Sequence, residues 1–540
     1  MLFSSPSEIR FAQTFAQFLF LNPFQQAEAV GLRSELNAID LGVNEEAKRQ
    51  TPIDSNRPHI IQLTQTLDAW LVELRDRIVR GATVETYEEQ RLLESLIMGA
   101  TFYRHFESRR PLREAQDGDQ KIQSFRKLQE ELAGWNQLPL TLSPFLRDPA
   151  HLFSVYFQLR RSFDLICQLV QGTSRPINRL RAEIWHSIFP HELQLYGTLL
   201  YDRMQDVTTL ILGPSGTGKD LVAMGIGLSR YIPFDGKKLQ FKEPLSGAFH
   251  PINLSAMPLD LIESELFGHC AGAFTGAVKD RDGWFERCNV GHTVFLDEVG
   301  ELDLSIQVKL LRVLQNREFF RVGETDPRRF EGKVIAATNR DLAEEITAGR
   351  FRQDLFYRLC SDVLRTPSLR EQLDDTPGDL PHLVRIIAAK CLGERAQPEQ
   401  VDWLSNLTVS WIESSSELGA GYDWPGNFRE LEQCVRNVMV RGEYRPTRLP
   451  IASRTSIQTS TSSVAPTTSQ NAAVEAFLKR VRASDLTYDE LLRHYCSLVL
   501  ARSDHLTDAA RRLKKHRATV EARIDADLAQ SFRSGRLHES

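Results

Sequence analysis

Between Asp206 and Asp220 the chain reads DVTTLILGPSGTGKD, and this stretch restricts the fold more than any other. A short apolar run rich in β-branched residues, Val207 to Leu212, stops at Gly213; Gly218 and Lys219 follow, and then a helical pattern, LVAMGIGLSRYI. Strand, glycine loop, lysine and helix in that order make a phosphate cradle. The glycines let backbone N–H groups converge on a polyphosphate, and the new helix points its positive end at the same spot. The expected contacts are Gly213, Pro214, Ser215, Gly216, Thr217 and Gly218 through the loop, with Lys219 reaching the β- and γ-phosphates. Asp220 stands where the general motif has Ser or Thr to hold magnesium.

Around this loop, short apolar strands alternate with amphipathic helices, the signature of a parallel α/β sheet. Candidate strands are Thr208–Leu212, His250–Leu254, Thr293–Leu296 and Lys333–Ala337, and a helical lid is expected from about Ser368 to Gly442. In TVFLDE, Thr293 to Glu298, a buried strand ends in two carboxylates, at the end of a parallel sheet where ligands sit. Asp297 is expected to hold Mg2+, directly or through water, and Glu298 to orient and deprotonate an attacking water. Asn339, ending the strand VIAATN, is suited to position that water or sense the γ-phosphate. Arg352 and Arg358, in GRFRQDLFYRL, are suited to stabilise charge in phosphoryl transfer, often from a neighbouring subunit.

A chain of 540 residues has length for roughly three domains. Its formal charge of -5 excludes a globally basic nucleic-acid binder, so any DNA contact must come from a local patch. Seven scattered cysteines without a C-x-x-C pair suggest reduced thiols and no zinc site. No apolar stretch approaches the ~20 residues that span a bilayer, and no secretory leader pattern opens the chain. A cytoplasmic protein with no membrane partner is expected.

Residues 1–180 read as helix throughout, in RFAQTFAQFLFL, IIQLTQTLDAWLVELRDRIV and HLFSVYFQLRRSFDLICQLV, with breakers at Gln50 to Pro58, Asp117 to Asp119 and Pro139 to Pro149. They are expected to form an all-α interaction or regulatory domain for an unknown signal or protein partner. Residues 181–445 form the α/β domain, 446–472 a Ser/Thr/Pro-rich linker, and 473–540 a small basic helical domain.

Between the two nucleotide motifs lies ESELFGHCAGAFTGA, Glu263 to Ala277, in which small residues flank one aromatic, Phe274. A lone apolar ring on a flexible tip is costly in water without a partner. Taken together these motifs resemble the AAA+ ATPases, and more narrowly the bacterial enhancer-binding activators of sigma-54 RNA polymerase. The resemblance covers residues 181–445 and includes LDEVGEL, VKLLRVLQNREFFRVG and LFYRL. It implies ATP hydrolysis in a self-assembled ring, expected as a hexamer, and a moving loop in which Gly272, Ala273, Phe274, Thr275, Gly276 and Ala277 contact sigma-54. That family typically carries an acid after the lysine, as Asp220 does here. By the same resemblance Asn253 holds Glu298 in check until the γ-phosphate changes, Arg352 and Arg358 match trans-acting arginine fingers, and Arg429 matches the second sensor. Two segments depart from the family pattern by extra length: Tyr231 to Phe249, and SLREQLDDTPGDLPHLV.

The segment LTDAARRLKKHRATVEARI, Leu506 to Ile524, has helix–turn–helix spacing in Ala509, Ala510, Leu513, Val520 and Ile524, and resembles the Fis-type DNA-binding domain that ends these activators. The run Arg511, Arg512, Lys514, Lys515, His516 and Arg517 supplies phosphate affinity, and Arg517, Thr519 and Arg523 are the candidates to face the major groove. The expected function is therefore an ATP-hydrolysing activator that remodels sigma-54 polymerase. The alternative is an ATP-dependent DNA-binding regulator whose ATPase fold controls only oligomerisation.

Overall fold

The computed structural model describes residues 2–39, 41, 58–106, 109–116, 121–418, 421–446, 477, 480–481, 486–503, 505–513 and 515–534. The chain forms two compact units, Met1–Thr447 and Arg448–Ser540. Lys514, the patch Asp117 to Asp119, most of the breaker Gln50 to Pro58 and nearly all of the linker 446–472 lie outside the described residues.

The first unit begins with helices whose ends are set by local chemistry. Ser5 accepts the N–H of Glu8 and Pro6 takes the first helical position of α1 (Pro6–Phe20). Helices α2 (Gln26–Ala38), α3 (Pro58–Val79), α4 (Tyr87–Phe106) and α5 (Ser124–Asn136) follow. Asp148 then caps α6 (Pro149–Leu169) through the N–H groups of Ala150 and His151, and α7 (Arg175–Ile188) leads to the sheet. Trp70 of α3 is buried, with the Phe11 ring edge-on at 5.3 Å.

Five parallel strands form the sheet: β1 (Thr209–Leu212), β4 (Phe249–Asn253), β5 (Thr293–Asp297), β6 (Lys333–Thr338) and β7 (Asp362–Arg365). Their spatial order is β7-β1-β6-β5-β4. The loop after β1 therefore opens between strands that the chain reaches last, the switch point where α/β sheets bind ligands. One sheet face packs on α9 (Leu259–Phe267), α10 (Leu304–Asn316) and α11 (Gln353–Leu359) through Leu210, Val294, Leu296 and Ala336. The other face, with Ile211, Phe295 and Ile335, shares one continuous buried cluster with the N-terminal helices. The boundary expected between residues 180 and 181 falls inside α7, and the core runs across it.

Both segments of extra length join the N-terminal helices to the sheet and lid. Within Tyr231 to Phe249 a hairpin forms from β2 (Phe234–Asp235) and β3 (Gln240–Phe241). The Phe234 ring lies 4.9 Å from Phe125 and 4.7 Å from Phe153, and Phe241 lies 4.3 Å from Phe157. The Phe234 N–H donates to Ser154 Oγ at 2.9 Å, and the Ile122 N–H to the Leu239 carbonyl at 2.9 Å.

The lid comprises α12 (Leu369–Asp375), α13 (Asp379–Leu392), α14 (Pro398–Ser414) and α15 (Asn427–Arg441), around a core of its own. Its second segment of extra length supplies Asp375 and Asp379. Asp379, 4% exposed, accepts the Thr173 N–H (2.6 Å), the Thr173 hydroxyl (2.5 Å) and the Ser174 N–H (3.1 Å). Asp375 accepts the N–H of Arg175 at 2.8 Å. The entry to α7 is thus held by the lid.

In the second unit, α16 (Tyr488–Ala501) starts on a Thr487/Glu490 capping box and is followed by α17 (Leu506–Arg512), α18 (Arg517–Glu521) and α19 (Ala526–Ser534). Among the described residues no helix is long and apolar enough to cross a membrane. All seven cysteines are unpaired.

Candidate nucleotide site and exposed loop

Glycine is required at the loop after β1 because neighbouring atoms come too close. A Cβ on Gly213 would sit 2.1 Å from Thr366 Oγ1, and one on Gly216 would sit 2.4 Å from the Gly426 carbonyl. Gly216 and Gly218 hold φ of +78° and +85°, conformations that an L side chain resists. Their N–H groups have no partner among the described residues. Thr217 is pinned from below, its hydroxyl on the Pro214 carbonyl (2.8 Å) and against Thr366 Oγ1 (2.7 Å). Pro214 and Ser215 are exposed at the lip.

Lys219 opens α8 (Lys219–Leu228) and is buried, its amine resting on the carbonyls of Gly213 (3.1 Å) and Pro214 (3.3 Å). Burial pulls its pKa below the usual lysine value and Arg429 adds to this, while Glu298, Asp297 and Asp220 oppose it. Asp220 is exposed in the first turn of α8, where a carboxylate suits the positive end of the helix.

Asp297 ends β5 half-buried. Burial first, then the adjacent Glu298, raise its carboxyl above the usual range, against the pull of Lys219. Glu298 adopts a left-handed conformation, φ +59°, with its N–H on Asp297 Oδ1 at 3.1 Å. For a non-glycine residue this costs roughly 1–2 kcal/mol, and such strain gathers at working sites. Its Oε2 accepts the backbone N–H of Asn339 at 3.2 Å, so it is the main chain of Asn339 that touches Glu298.

Asn253 is engaged locally. It is paired in register with Asp297, yet its Oδ1 accepts the N–H (3.0 Å) and hydroxyl (2.8 Å) of Ser255 and starts a 3-10 turn. An Asn forms such a local turn with the backbone two residues on readily.

The lid closes on the loop through the start of α15. Asn427 donates to the Ser215 carbonyl (3.0 Å), the Phe428 N–H to the Gly216 carbonyl (3.0 Å), and Arg429 Nη1 to Ser215 Oγ (2.8 Å). Of these only Arg429 was singled out from the sequence. Asn427, at φ +51°, also accepts the Leu369 N–H at 2.9 Å, which ties α12 to α15. The Pro-Gly-Asn turn of DWPGNF was the available signal for it.

Arg352 caps α11 and pairs with Asp354 at 2.6 Å, and Arg358 is exposed in the last turn. Neither is among the main charges acting on Lys219 or Asp297.

The hexapeptide forms a closed tip. The Gly272 N–H donates to the Ala277 carbonyl (2.8 Å) and the Ala277 N–H to the Phe274 carbonyl (3.0 Å), with positive φ at Gly272 and Gly276. Ala277 is buried at the base; Phe274 is 42% exposed and Thr275 is exposed beside it. The Phe274 ring meets His269 edge-on at 4.9 Å, and His269 Nδ1 is 2.6 Å from Ser264 Oγ.

In the C-terminal unit Ala509, Ala510 and Val520 are buried, and Leu513 and Ile524 half-buried. Arg517, Thr519 and Arg523 are exposed, with Arg517 3.9 Å from Glu521.

Partnerless N–H groups, a buried lysine amine on carbonyls, and a carboxyl raised beside it fit a nucleoside triphosphate and one Mg2+. Asp297 would be the protein ligand of such an ion, which usually takes most of its other ligands from phosphate and water. Among the described residues no group of three or more His, Cys, Asp or Glu forms a metal cage.

Sheet order, glycine loop and lid together define a P-loop domain of AAA+ architecture. Residues 196–364 match the family described as the Sigma-54 interaction domain. The Nif-specific regulatory protein of Azotobacter vinelandii is 43% identical over 237 residues, 44% of this chain and 40% of the relative. The DNA-binding transcriptional regulator NtrC of Rhizobium meliloti (strain 1021) is 41% identical over 245 residues, 45% of each. Anaerobic nitric oxide reductase transcription regulator NorR of Escherichia coli O157:H7 is 38% identical over 275 residues, 50% of this chain and 49% of the relative. The chain thus spans about half the length, or less, of these relatives. Among solved structures, NtrX from Brucella abortus aligns at 21% identity and a TM-score of 0.37, over 73% of this chain and 76% of that one.

Proposed function

We propose that the chain is a DNA-bound transcriptional activator that hydrolyses ATP to remodel sigma-54 RNA polymerase holoenzyme and open promoters. The observation that carries this reading is Phe274, 42% exposed at the tip of a glycine-flanked loop inside the matched domain. ATP binds in the loop Gly213 to Gly218, with Lys219 moving from its carbonyl partners to the β- and γ-phosphates. Asp297 holds Mg2+, which supplies charge neutralisation at those oxygens. Glu298, steadied by the Asn339 N–H, takes the proton of the attacking water. Arg429 leaves Ser215 for the phosphates and reports the nucleotide to the lid. Arg352 and Arg358 complete the site of a neighbouring copy in a ring, expected as a hexamer; Arg358 is exposed, and Arg352 is half-buried beside Asp354. The strained turn at Glu298 relaxes with the nucleotide state and moves the hexapeptide tip. Arg517, Thr519 and Arg523 contact DNA in the cytoplasm, where the polymerase is, and the N-terminal helices receive a signal or partner.

Replacing Thr275 with Ala tests the loop. ATP turnover should stay within about twofold of native, while open-complex formation by sigma-54 polymerase, read by permanganate footprinting, should be lost. Open complexes at the native level would overturn the assignment.

A further inference from the structure

The N-terminal helices enclose a cavity of about 460 Å³, in the range that holds small ligands. Phe102 and Tyr103 of α4, Phe163 of α6 and Trp185 of α7 line it with rings. Val30 of α2, 51% exposed, marks its opening beside half-buried Arg33. The rings are already ordered around the space, with Phe24 stacked on Phe163 at 5.3 Å and edge-on to Trp185 at 6.2 Å.

Among the described residues, charge in the lining is of one sign. Among those residues no acidic side chain lines the cavity, and two arginines do. Arg160 is engaged, 3.5 Å from Asp164 and 5.7 Å over the Phe163 ring. Arg33 makes no hydrogen bond or ion pair to any described residue. A half-buried guanidinium with no anion among the described residues, at the rim of a ring-lined space, is suited to take one from a ligand.

We propose that this cavity binds a small aromatic carboxylate, its ring among Phe102, Tyr103, Phe163 and Trp185 and its carboxylate on Arg33. Trp185 sits on α7, whose first residues the lid grips through Asp375 and Asp379. A ligand that presses on α7 therefore bears on the helices that seat Asn427 and Arg429 against the phosphate loop. Binding stands by itself; its effect on turnover rests on the ATPase reading given above.

The test uses the full chain and two probes, 2-naphthoate and its neutral counterpart naphthalene-2-methanol, titrated by calorimetry. The acid should bind saturably at one site per chain. Arg33→Gln should weaken it at least about tenfold while leaving the alcohol unchanged. Ala29→Trp, which fills the cavity without cutting into the core, should abolish both. No saturable heat from either probe at millimolar concentration overturns the site. Equal binding of acid and alcohol overturns recognition by Arg33, and binding that survives Ala29→Trp overturns the location. Saturating 2-naphthoate should change the ATP turnover rate at least twofold. Intact binding with unchanged turnover overturns the coupling alone, and a chain that never turns over ATP counts against the ATPase reading while leaving the site standing.

Discussion

Asp379→Ala removes the side chain by which the lid holds the entry to α7. Three hydrogen bonds are lost, but they are not equal. Thr173 is exposed, so water can replace the carboxylate at its N–H and hydroxyl; Ser174 is buried, and its N–H is left without an acceptor. An orphaned buried donor costs about 1–3 kcal/mol and each water-replaceable bond about 0.5–1 kcal/mol, so the total is about 3 kcal/mol. With roughly 2.1 cal/mol/K per residue over the unit Met1–Thr447, that lowers Tm by about 3 °C. Thr173→Val, which removes only the hydroxyl, should cost about 1 kcal/mol, and Asp379→Asn should fall between. Chemical denaturation of the four members of the Asp379→Ala/Thr173→Val cycle reads the pairwise energy, expected at about 0.5–1.5 kcal/mol. Asp379→Ala within about 0.5 kcal/mol of native, or a cycle that sums without residue, would refute the picture of a lid latched to α7.

Other expectations test other parts of the molecule. Glu298→Gln should bind a fluorescent ATP analogue normally and hydrolyse ATP about 10²–10⁴-fold more slowly; native turnover would remove Glu298 from the role of base. Phe234→Ala should cost about 3–5 kcal/mol in denaturant unfolding, because its ring fills the space between Phe125 and Phe153; a loss under 1 kcal/mol would mean that the hairpin is not a packing element. Lys333 is buried, its amine on the carbonyls of Met204 and Val207, and burial pushes its pKa down to about 8. The unfolded chain then binds the extra proton between pH 8 and about 10.5, so this group makes native stability rise with pH by about 3 kcal/mol across that window. Denaturation at pH 8 and pH 10.5 should show Lys333→Met lacking the rise, and equal slopes would refute it.

Most of the nucleotide site was legible because its chemistry is local in sequence. A glycine loop after a β-branched strand, and two acids ending another apolar strand, each state their own geometry. The four strands expected from apolar runs are present within a residue or so at either end. The edge strand β7 was not expected: it buries only Leu364 in full and so carries no apolar run. The role of Asn253 was read by resemblance, and its local turn with Ser255 was not anticipated. The lid contacts of Asn427 depend on a left-handed φ that residue type only hints at. Least legible was the join between the N-terminal helices and the sheet. Helical periodicity located α1, α3 and α6, yet it does not say which element covers them. The aromatics Phe234, Phe241 and Phe249, in a segment marked only as long, were the available signal.

That join has a practical consequence. Cutting the chain after residue 180 would sever α7 partway along its length and strip the cover from Ile211, Val222, Phe234 and Phe295 at once. The remainder would carry an oily underside inviting aggregation, and its silence in an assay would say nothing about repression. What the N-terminal helices do to the motor has to be asked with point changes at the hairpin and at Asp379, leaving the polypeptide whole.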